Sequence, residues 1–271
     1  MNPNNTANIF CIANQKGGVG KTTTAINLAA ALAALHKRVL LIDLDPQGNA
    51  TMGSGVDKNA ATTNLYQVLI GNASIEQATV KSESGGYDVL PSNRELSGAE
   101  IDLIQMDERE QQLKKAIEKV QDGYDFILID CPPTLSLLTL NGLACAHGVI
   151  IPMQCEYFAL EGLSDLVNTI KRVYQNINPS LQLIGLLRVM FDTRVTLQQQ
   201  VAAQIQSHFG DRVFETIIPR NVRLAEAPSH GQPGIVYDRS SRGAKAYLDF
   251  GDELLRRVKK EALRQQARPR I

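Results

Sequence analysis

The chain has no run of 18 or more apolar residues, so nothing in its 271 residues reads as a membrane span. No secretory leader is expected either. The first apolar stretch, from Ile9, is broken by Asn14 and Lys16, and Met1–Asn8 carries no basic residue. Its four cysteines, Cys11, Cys131, Cys145 and Cys155, have no C-x-x-C spacing. They lie in or beside apolar runs and a small-residue helix, and read as buried thiols of a cytosolic protein, not as disulfides or zinc ligands. There is no internal repeat, low-complexity tract or long linker. What remains is ordinary globular composition, 44% hydrophobic and 21% charged. That excludes a disordered chain, a collagen-like fibre and a coiled coil.

Excess charge is lacking too, with 28 basic against 28 acidic residues. The distribution is less even. Residues 54–130 hold 7 basic and 14 acidic side chains, whereas residues 131–271 hold 17 basic and 12 acidic. A polyanion meets a local surface, so the basic C-terminal half is compatible with DNA. An ordinary solvated surface accounts for the same numbers.

Apolar runs predict buried strands at Ile9–Asn14, Val39–Asp43, Tyr87–Pro91, Tyr124–Asp130, Gly148–Met153, Leu181–Phe191 and Val213–Ile218. Helices are predicted at Thr22–Leu35, Thr62–Leu69, Ala159–Gln175, Val195–Phe209 and Ser241–Arg264. Leu96–Asp122 reads as two helices around Met106–Asp107. Alternating buried strands and helices predict an α/β fold, a doubly wound, mostly parallel sheet with helices on both faces. The expected organisation is a flexible N-terminus (1–8), one domain (9–265) and a tail (266–271). Ligands in such folds bind beyond the carboxyl ends of the strands.

The chemistry concentrates there. Asn14-Gln15-Lys16-Gly17-Gly18-Val19-Gly20-Lys21-Thr22-Thr23 follows a strand and opens a helix, as a P-loop must. Glycines let backbone N–H groups approach phosphate oxygens, and the helix N-terminus adds partial positive charge. Lys21 would reach the β and γ phosphates, and the Thr22 hydroxyl would ligate Mg²⁺. Asp130 closes Phe126-Ile127-Leu128-Ile129-Asp130, a Walker B position that holds Mg²⁺ directly or through a water. Asp43 and Asp45 end the second strand, in Leu41-Ile42-Asp43-Leu44-Asp45-Pro46-Gln47-Gly48, and alternation places them on one face. Without the phosphate loop, either aspartate would pass for a cap or turn residue.

The loop departs from G-x-x-x-x-G-K-[ST]. Gln15 stands where the first glycine belongs, and Lys16 lies five residues before Lys21. This Lys16-Gly17-Gly18-Val19-Gly20-Lys21-Thr22 form resembles the deviant Walker A of the ParA/MinD ATPases. The resemblance extends to Asp45-Pro46-Gln47-Gly48-Asn49, Ile129-Asp130-Cys131-Pro132-Pro133, Glu156-Tyr157-Phe158-Ala159-Leu160-Glu161-Gly162 and Ile218–Gly231. The last stretch is similar to the short chromosomal ParA type, often called Soj. Arg188 departs from the pattern, in a strand where relatives often carry a small polar residue, and puts details of the nucleotide pocket in question.

The resemblance implies a cytoplasmic, nucleoid-associated ATPase that partitions chromosomes or plasmids, with ATP and Mg²⁺ as cofactors. It implies an ATP-bound sandwich homodimer in which Lys16 reaches the partner's phosphates, non-specific binding to double-stranded DNA, and a ParB-type protein that stimulates hydrolysis and release. Asp45 is then the residue that positions the attacking water, and is grouped with Thr22 and Asp130 as metal-linked. Pro219, Arg220 and Asn221 would meet the nucleobase. Arg194 and Arg223 lead the DNA-contact candidates, followed by Arg242 and Lys245. A MinD-like membrane-cycling ATPase is the alternative. It needs a C-terminal lipid-inserting helix; the tail is basic, from Arg256 to Arg270, but Leu254, Leu255, Val258 and Leu263 read as a core face. No membrane partner is expected. An iron–sulfur reductase would need a second cysteine placed like Cys131, and a biosynthetic ligase a substrate motif that is not visible.

Overall fold

The structure is a computed structural model describing residues 7–266, without the side chains of 264–266. Its strands are β1 (Asn8–Ile12), β2 (Val39–Asp43), β3 (Val80–Ser82), β4 (Tyr87–Leu90), β5 (Phe126–Asp130), β6 (Gly148–Met153), β7 (Gln182–Phe191) and β8 (Val213–Pro219). The helices are α1 (Lys21–Ala34), α2 (Asn49–Gly53), α3 (Leu65–Leu69), α4 (Ile75–Ala78), α5 (Leu96–Ile104), α6 (Gln112–Ile117), α7 (Leu137–Cys145), α8 (Ala159–Asn176), α9 (Thr196–Phe209), α10 (Val222–Glu226), α11 (Gly234–Tyr237) and α12 (Arg242–Gln266). The strands form one sheet in the order β3-β4-β2-β5-β1-β6-β7-β8. All neighbours are parallel except the edge pair β3–β4.

Continuous apolar runs explain the centre. Every residue of β2 and β5 is buried, as a strand covered on both faces requires. On one face Leu28 and Leu32 of α1 pack with Tyr247, Phe250 and Leu254 of α12. On the other lie Leu65 of α3, Leu103 of α5, Leu113 of α6, Leu143 of α7, Leu166 of α8 and Ile205 of α9. Close approach of α1 to α12 depends on small residues: a methyl added at Gly251 would lie 3.1 Å from the Ala31 methyl. Truncating Leu28 or Leu32, each fully buried, would cost about 2–5 kcal/mol.

Register then aligns the chemistry. Ile12 pairs with Asp130, and Asp130 with Asp43. The phosphate loop and both acids therefore emerge together at the carboxyl edge, beside β1, where the chain's crossovers diverge.

Several boundaries differ from expectation. Ala7 is buried and Asn8 already opens β1, so the expected flexible segment does not extend to residue 8; residues 1–6 lie outside the described residues. Of the expected tail, Gln266 closes α12, and 267–271, including Arg268 and Arg270, lie outside the described residues. The strand β3 and helices α2, α4, α10 and α11 were not anticipated; each is five residues or fewer, too short to show a period. Leu263, expected in the core face of the last helix, is 58% exposed, while Leu254 is buried.

Candidate functional site

The loop after β1 is held from both sides. The Asn14 amide donates to the Pro152 carbonyl (2.8 Å) and its oxygen accepts from Lys16 N (3.0 Å), tying the loop to the end of β6. Gln154 donates to the Gly18 carbonyl (3.2 Å). Gly18 and Gly20 take φ of 72° and 78°, left-handed values that glycine adopts without a Cβ penalty. Gly17 leaves its Cβ direction open, and Val19 is buried. No side chain caps α1, whose N-cap is Gly20. Its first N–H groups are thus aimed at the space an anion would occupy.

The two lysines point to different places. Lys21 is buried and its Nζ donates to the Lys16 carbonyl (3.1 Å). Burial lowers its pKa, which Asp130, Cys131 and Asp45 partly restore. The Lys16 side chain is half exposed and ion-paired with Glu156. Thr22 and Thr23 open α1, with the Thr23 carbonyl taken by Asn27 (2.8 Å).

Asp130 is fully buried, yet neither carboxylate oxygen has a hydrogen-bond partner among the described residues. Burial, then the nearby Asp43, pushes its carboxyl well above the usual range; Thr22 and Lys21 pull it back only in part. An orphaned buried carboxylate beside a threonine hydroxyl is an all-oxygen donor set that suits a hard cation. Thr22 and Asp130 therefore fit Mg²⁺. The alternation expected to carry Asp43 and Asp45 onto one face stops at Asp43, although Asp45 stays close enough to act on Asp43 and Asp130. β2 ends at Asp43, which is buried, whereas Asp45 lies beyond it in a loop and is half buried. Asp43 accepts from Thr51 N and Thr51 Oγ1 (2.7 Å each) and from Asp45 N (3.2 Å). Burial raises its pKa to about 6 despite these bonds.

Comparison with known proteins agrees with this geometry. The family described as AAA domain matches residues 7–183. An uncharacterised protein of Pseudomonas putida is 59% identical over 254 residues, covering 94% of this chain and 97% of its own. The sporulation initiation inhibitor protein Soj of Bacillus subtilis is 50% identical over 246 residues (91% and 97%), and the chromosome partitioning protein ParA of Myxococcus xanthus 50% over 249 (92% and 88%). The chain belongs to the ParA/Soj family. Among solved structures, the cobyrinic acid a,c-diamide synthase of Mycobacterium smegmatis with bound ADP and magnesium superposes with a TM-score of 0.83. It is 39% identical and covers 94% of this chain and 96% of that one. ATP and Mg²⁺ match the loop and acids of this ParA/Soj-type protein.

The remaining expected residues separate. Asn221 caps α10, its side-chain oxygen accepting from Leu224 N (3.3 Å), which leaves its NH₂ group and one oxygen lone pair for a base. Pro219 ends β8, and Arg220 is exposed in the following turn. Arg194 is chelated by Asp192 (Nε 3.0 Å, Nη2 2.8 Å), and Arg223 binds Glu226 (2.9 Å) and Asp238 (3.5 Å). Arg242 and Lys245 are exposed and make no ion pair with a described residue. Arg194 and Arg242 share a corner, since both hold the Asp192 carboxyl below its usual range, Arg194 first.

Arg188 turns away from the phosphate loop. Its guanidinium donates to the Phe214 and Glu215 carbonyls (3.0 and 3.3 Å) and lines a cavity of about 910 Å³ at the opposite, amino-terminal edge of the sheet. Two partners of the site were given no role in advance: Glu156, visible in a motif but not as the acid facing Lys16, and Thr51, which no motif marks. Both depend on contacts between distant segments.

Proposed function

We propose that this protein is a single-domain, cytoplasmic partitioning ATPase. Two copies close on ATP and Mg²⁺, bind double-stranded DNA without sequence preference, and release it when a ParB-type partner stimulates hydrolysis. The observation that carries the reading is the division of labour on one uncapped phosphate loop: Lys21 is buried at the loop, while Lys16 stands exposed at its edge. A lysine so placed can serve a triphosphate held by a neighbouring copy, where cationic charge favours the migrating negative charge of phosphoryl transfer. Asp45 positions the attacking water, Thr22 and Asp130 hold Mg²⁺, and Asn221 contributes to the base pocket.

Arg194, Arg223, Arg242 and Lys245 supply phosphate contacts. The acids on Arg194 and Arg223 form solvent-exposed pairs, screened by water and salt and too weak to withhold either from DNA. Closing two copies doubles the patch and raises effective concentration, linking nucleotide state to DNA retention. The names of the Soj and ParA relatives favour this reading.

Retention on DNA with ATP, ADP or no nucleotide tests it. ATP-dependent retention, lost in Lys16→Ala, is the expected result. Equal retention in all three states would overturn it. The name of the Mycobacterium structure favours a second reading, an ATP-dependent amide-forming ligase; turnover of ATP that requires cobyrinic acid would select it. A MinD-like membrane cycle is the alternative, favoured by the likeness to the cell division ATPase MinD of Pyrococcus furiosus (25% identical, TM-score 0.77); Tyr247, Phe250 and Leu254 of α12 are buried in the core, and ATP-dependent binding to liposomes without binding to DNA would select it.

A further inference from the structure

The backbone of Asp45 is clamped by a closed ring of hydrogen bonds that includes a serine from the loop after β4. Asp45 N donates to Asp43 Oδ1 (3.2 Å). Asp43 Oδ2 accepts from Thr51 Oγ1 (2.7 Å). Thr51 Oγ1 accepts in turn from Ser92 N (3.0 Å). Ser92 Oγ donates to the Asp45 carbonyl (2.7 Å) and closes the ring. Asp43, Thr51 and Ser92 are each fully buried, so water does not compete for these groups. The Thr51 hydroxyl has one proton, which goes to the Asp43 carboxylate; its lone pair takes the Ser92 N–H. The donor directions are therefore determined around the whole circuit.

The fold explains how Ser92 comes to be there. β4 runs parallel to β2 with Leu90 opposite Ile42, so the chain two residues past β4 reaches the turn two or three residues past β2. Contact is tight. A methyl added at Gly48, where φ is 65°, would lie 2.6 Å from the Ser92 carbonyl oxygen. The turn that carries Asp45 is thus pinned to Ser92 at the Asp45 carbonyl and pressed against it at Gly48.

We propose that Ser92 is a positioning residue for Asp45, holding the loop so that the Asp45 carboxylate meets the attacking water in register. This rests on the reading of Asp45 as the water-positioning acid. Ser92 touches neither nucleotide nor water in this scheme; it acts by fixing the Asp45 backbone. Removing the hydroxyl leaves the Asp45 carbonyl without that donor and opens one side of the ring, while Lys21, Thr22 and the glycines of the phosphate loop keep their places. A displacement of about 1 Å at a reacting group costs up to about a hundredfold in rate. Binding of nucleotide, which depends on the loop after β1, stays as it was.

The test is steady-state hydrolysis of ATP with Mg²⁺ by wild type, Ser92→Ala, Asp45→Ala and the double variant, with thermal melts and binding of a non-hydrolysable ATP analogue alongside. Ser92→Ala is expected to lower kcat by about ten- to a hundredfold, with KM for ATP and analogue affinity within about twofold of wild type. The double variant is expected to match Asp45→Ala, since a residue acting through Asp45 adds nothing once the carboxylate is gone. A kcat within twofold of wild type for Ser92→Ala overturns the proposal. So does a joint loss of kcat and analogue affinity, which marks a merely structural residue, or a further drop in the double variant. Wild-type turnover by Asp45→Ala would instead remove the reading of Asp45 on which the proposal stands.

Discussion

Lys16 cannot serve a neighbour's triphosphate while it is bound to Glu156. The two groups are 51% and 46% exposed, so the pair is screened by water and salt. Such pairs contribute about 0.2–1 kcal/mol. Closing a symmetric dimer breaks two of them, a cost of about 0.4–2 kcal/mol. Glu156→Gln removes that cost and should tighten ATP-dependent dimerisation by about two- to thirtyfold, using tenfold per 1.4 kcal/mol. Lys16→Ala should abolish dimerisation outright, because it removes the cation and not merely its competitor. Sedimentation velocity with a non-hydrolysable ATP analogue and Mg²⁺, at low and high salt, measures both. The advantage of Glu156→Gln should shrink as salt rises, since the pair it deletes is itself screened. If Glu156→Gln dimerises more weakly than wild type, Glu156 supports the closed state and does not compete with it, and the reasoning fails. Unaltered dimerisation of Lys16→Ala would also remove Lys16 from the interface.

Other expectations follow from burial and charge. Asp130→Asn should raise the melting temperature of the nucleotide-free protein near pH 7.5 while losing Mg²⁺-dependent ATP binding. Its carboxyl titrates well above the ordinary range in the fold, so the stability of this group is fully present below the unfolded value and is lost as pH rises through the raised one. The gap between variant and wild type should therefore close on acidification toward pH 4; a gap independent of pH would contradict the assignment. Glu253→Leu should destabilise by about 3–5 kcal/mol, read by urea denaturation. Its carboxylate accepts from Glu215 N (2.9 Å), Thr216 N (2.8 Å) and twice from Arg257 (3.0 and 2.8 Å). Burial pushes that carboxyl up, but these bonds outweigh it and leave it low, so the loss should be full at neutral pH and fade as pH falls through the depressed value. Arg194→Ala should weaken DNA binding more than Lys245→Ala, because it also uncovers Asp192; equal losses in a salt titration would argue against that acid's facing the DNA.

Central elements were legible because their signals are local. Val39–Asp43 and Phe126–Asp130 are apolar runs with an acid at the end, and both proved to be fully buried strands. The phosphate loop was legible from glycine, lysine and threonine at fixed offsets after such a run. The short edge strand β3 and the five-residue α2 and α10 were not; they are held by neighbours, not by a period of their own. Asp43 and Asp45 show the limit within one motif. Alternation holds only while a strand continues, and β2 stops at Asp43, so Asp45 is placed by a turn and its hydrogen bond to Asp43, not by the strand.

The order of residues by itself determined the family, the parallel α/β architecture and the phosphate loop, because each depends on the covalent spacing of neighbours along one strand, turn or helix. Only the tertiary structure decided which acid Lys16 meets: Glu156, which follows the neighbouring strand β6. It also decided that Ser92 closes a ring on Asp45. The physical reason is reach. A hydrogen bond or ion pair acts over about 3–4 Å, and the sheet register, not the chain, sets which of these distant groups come that close.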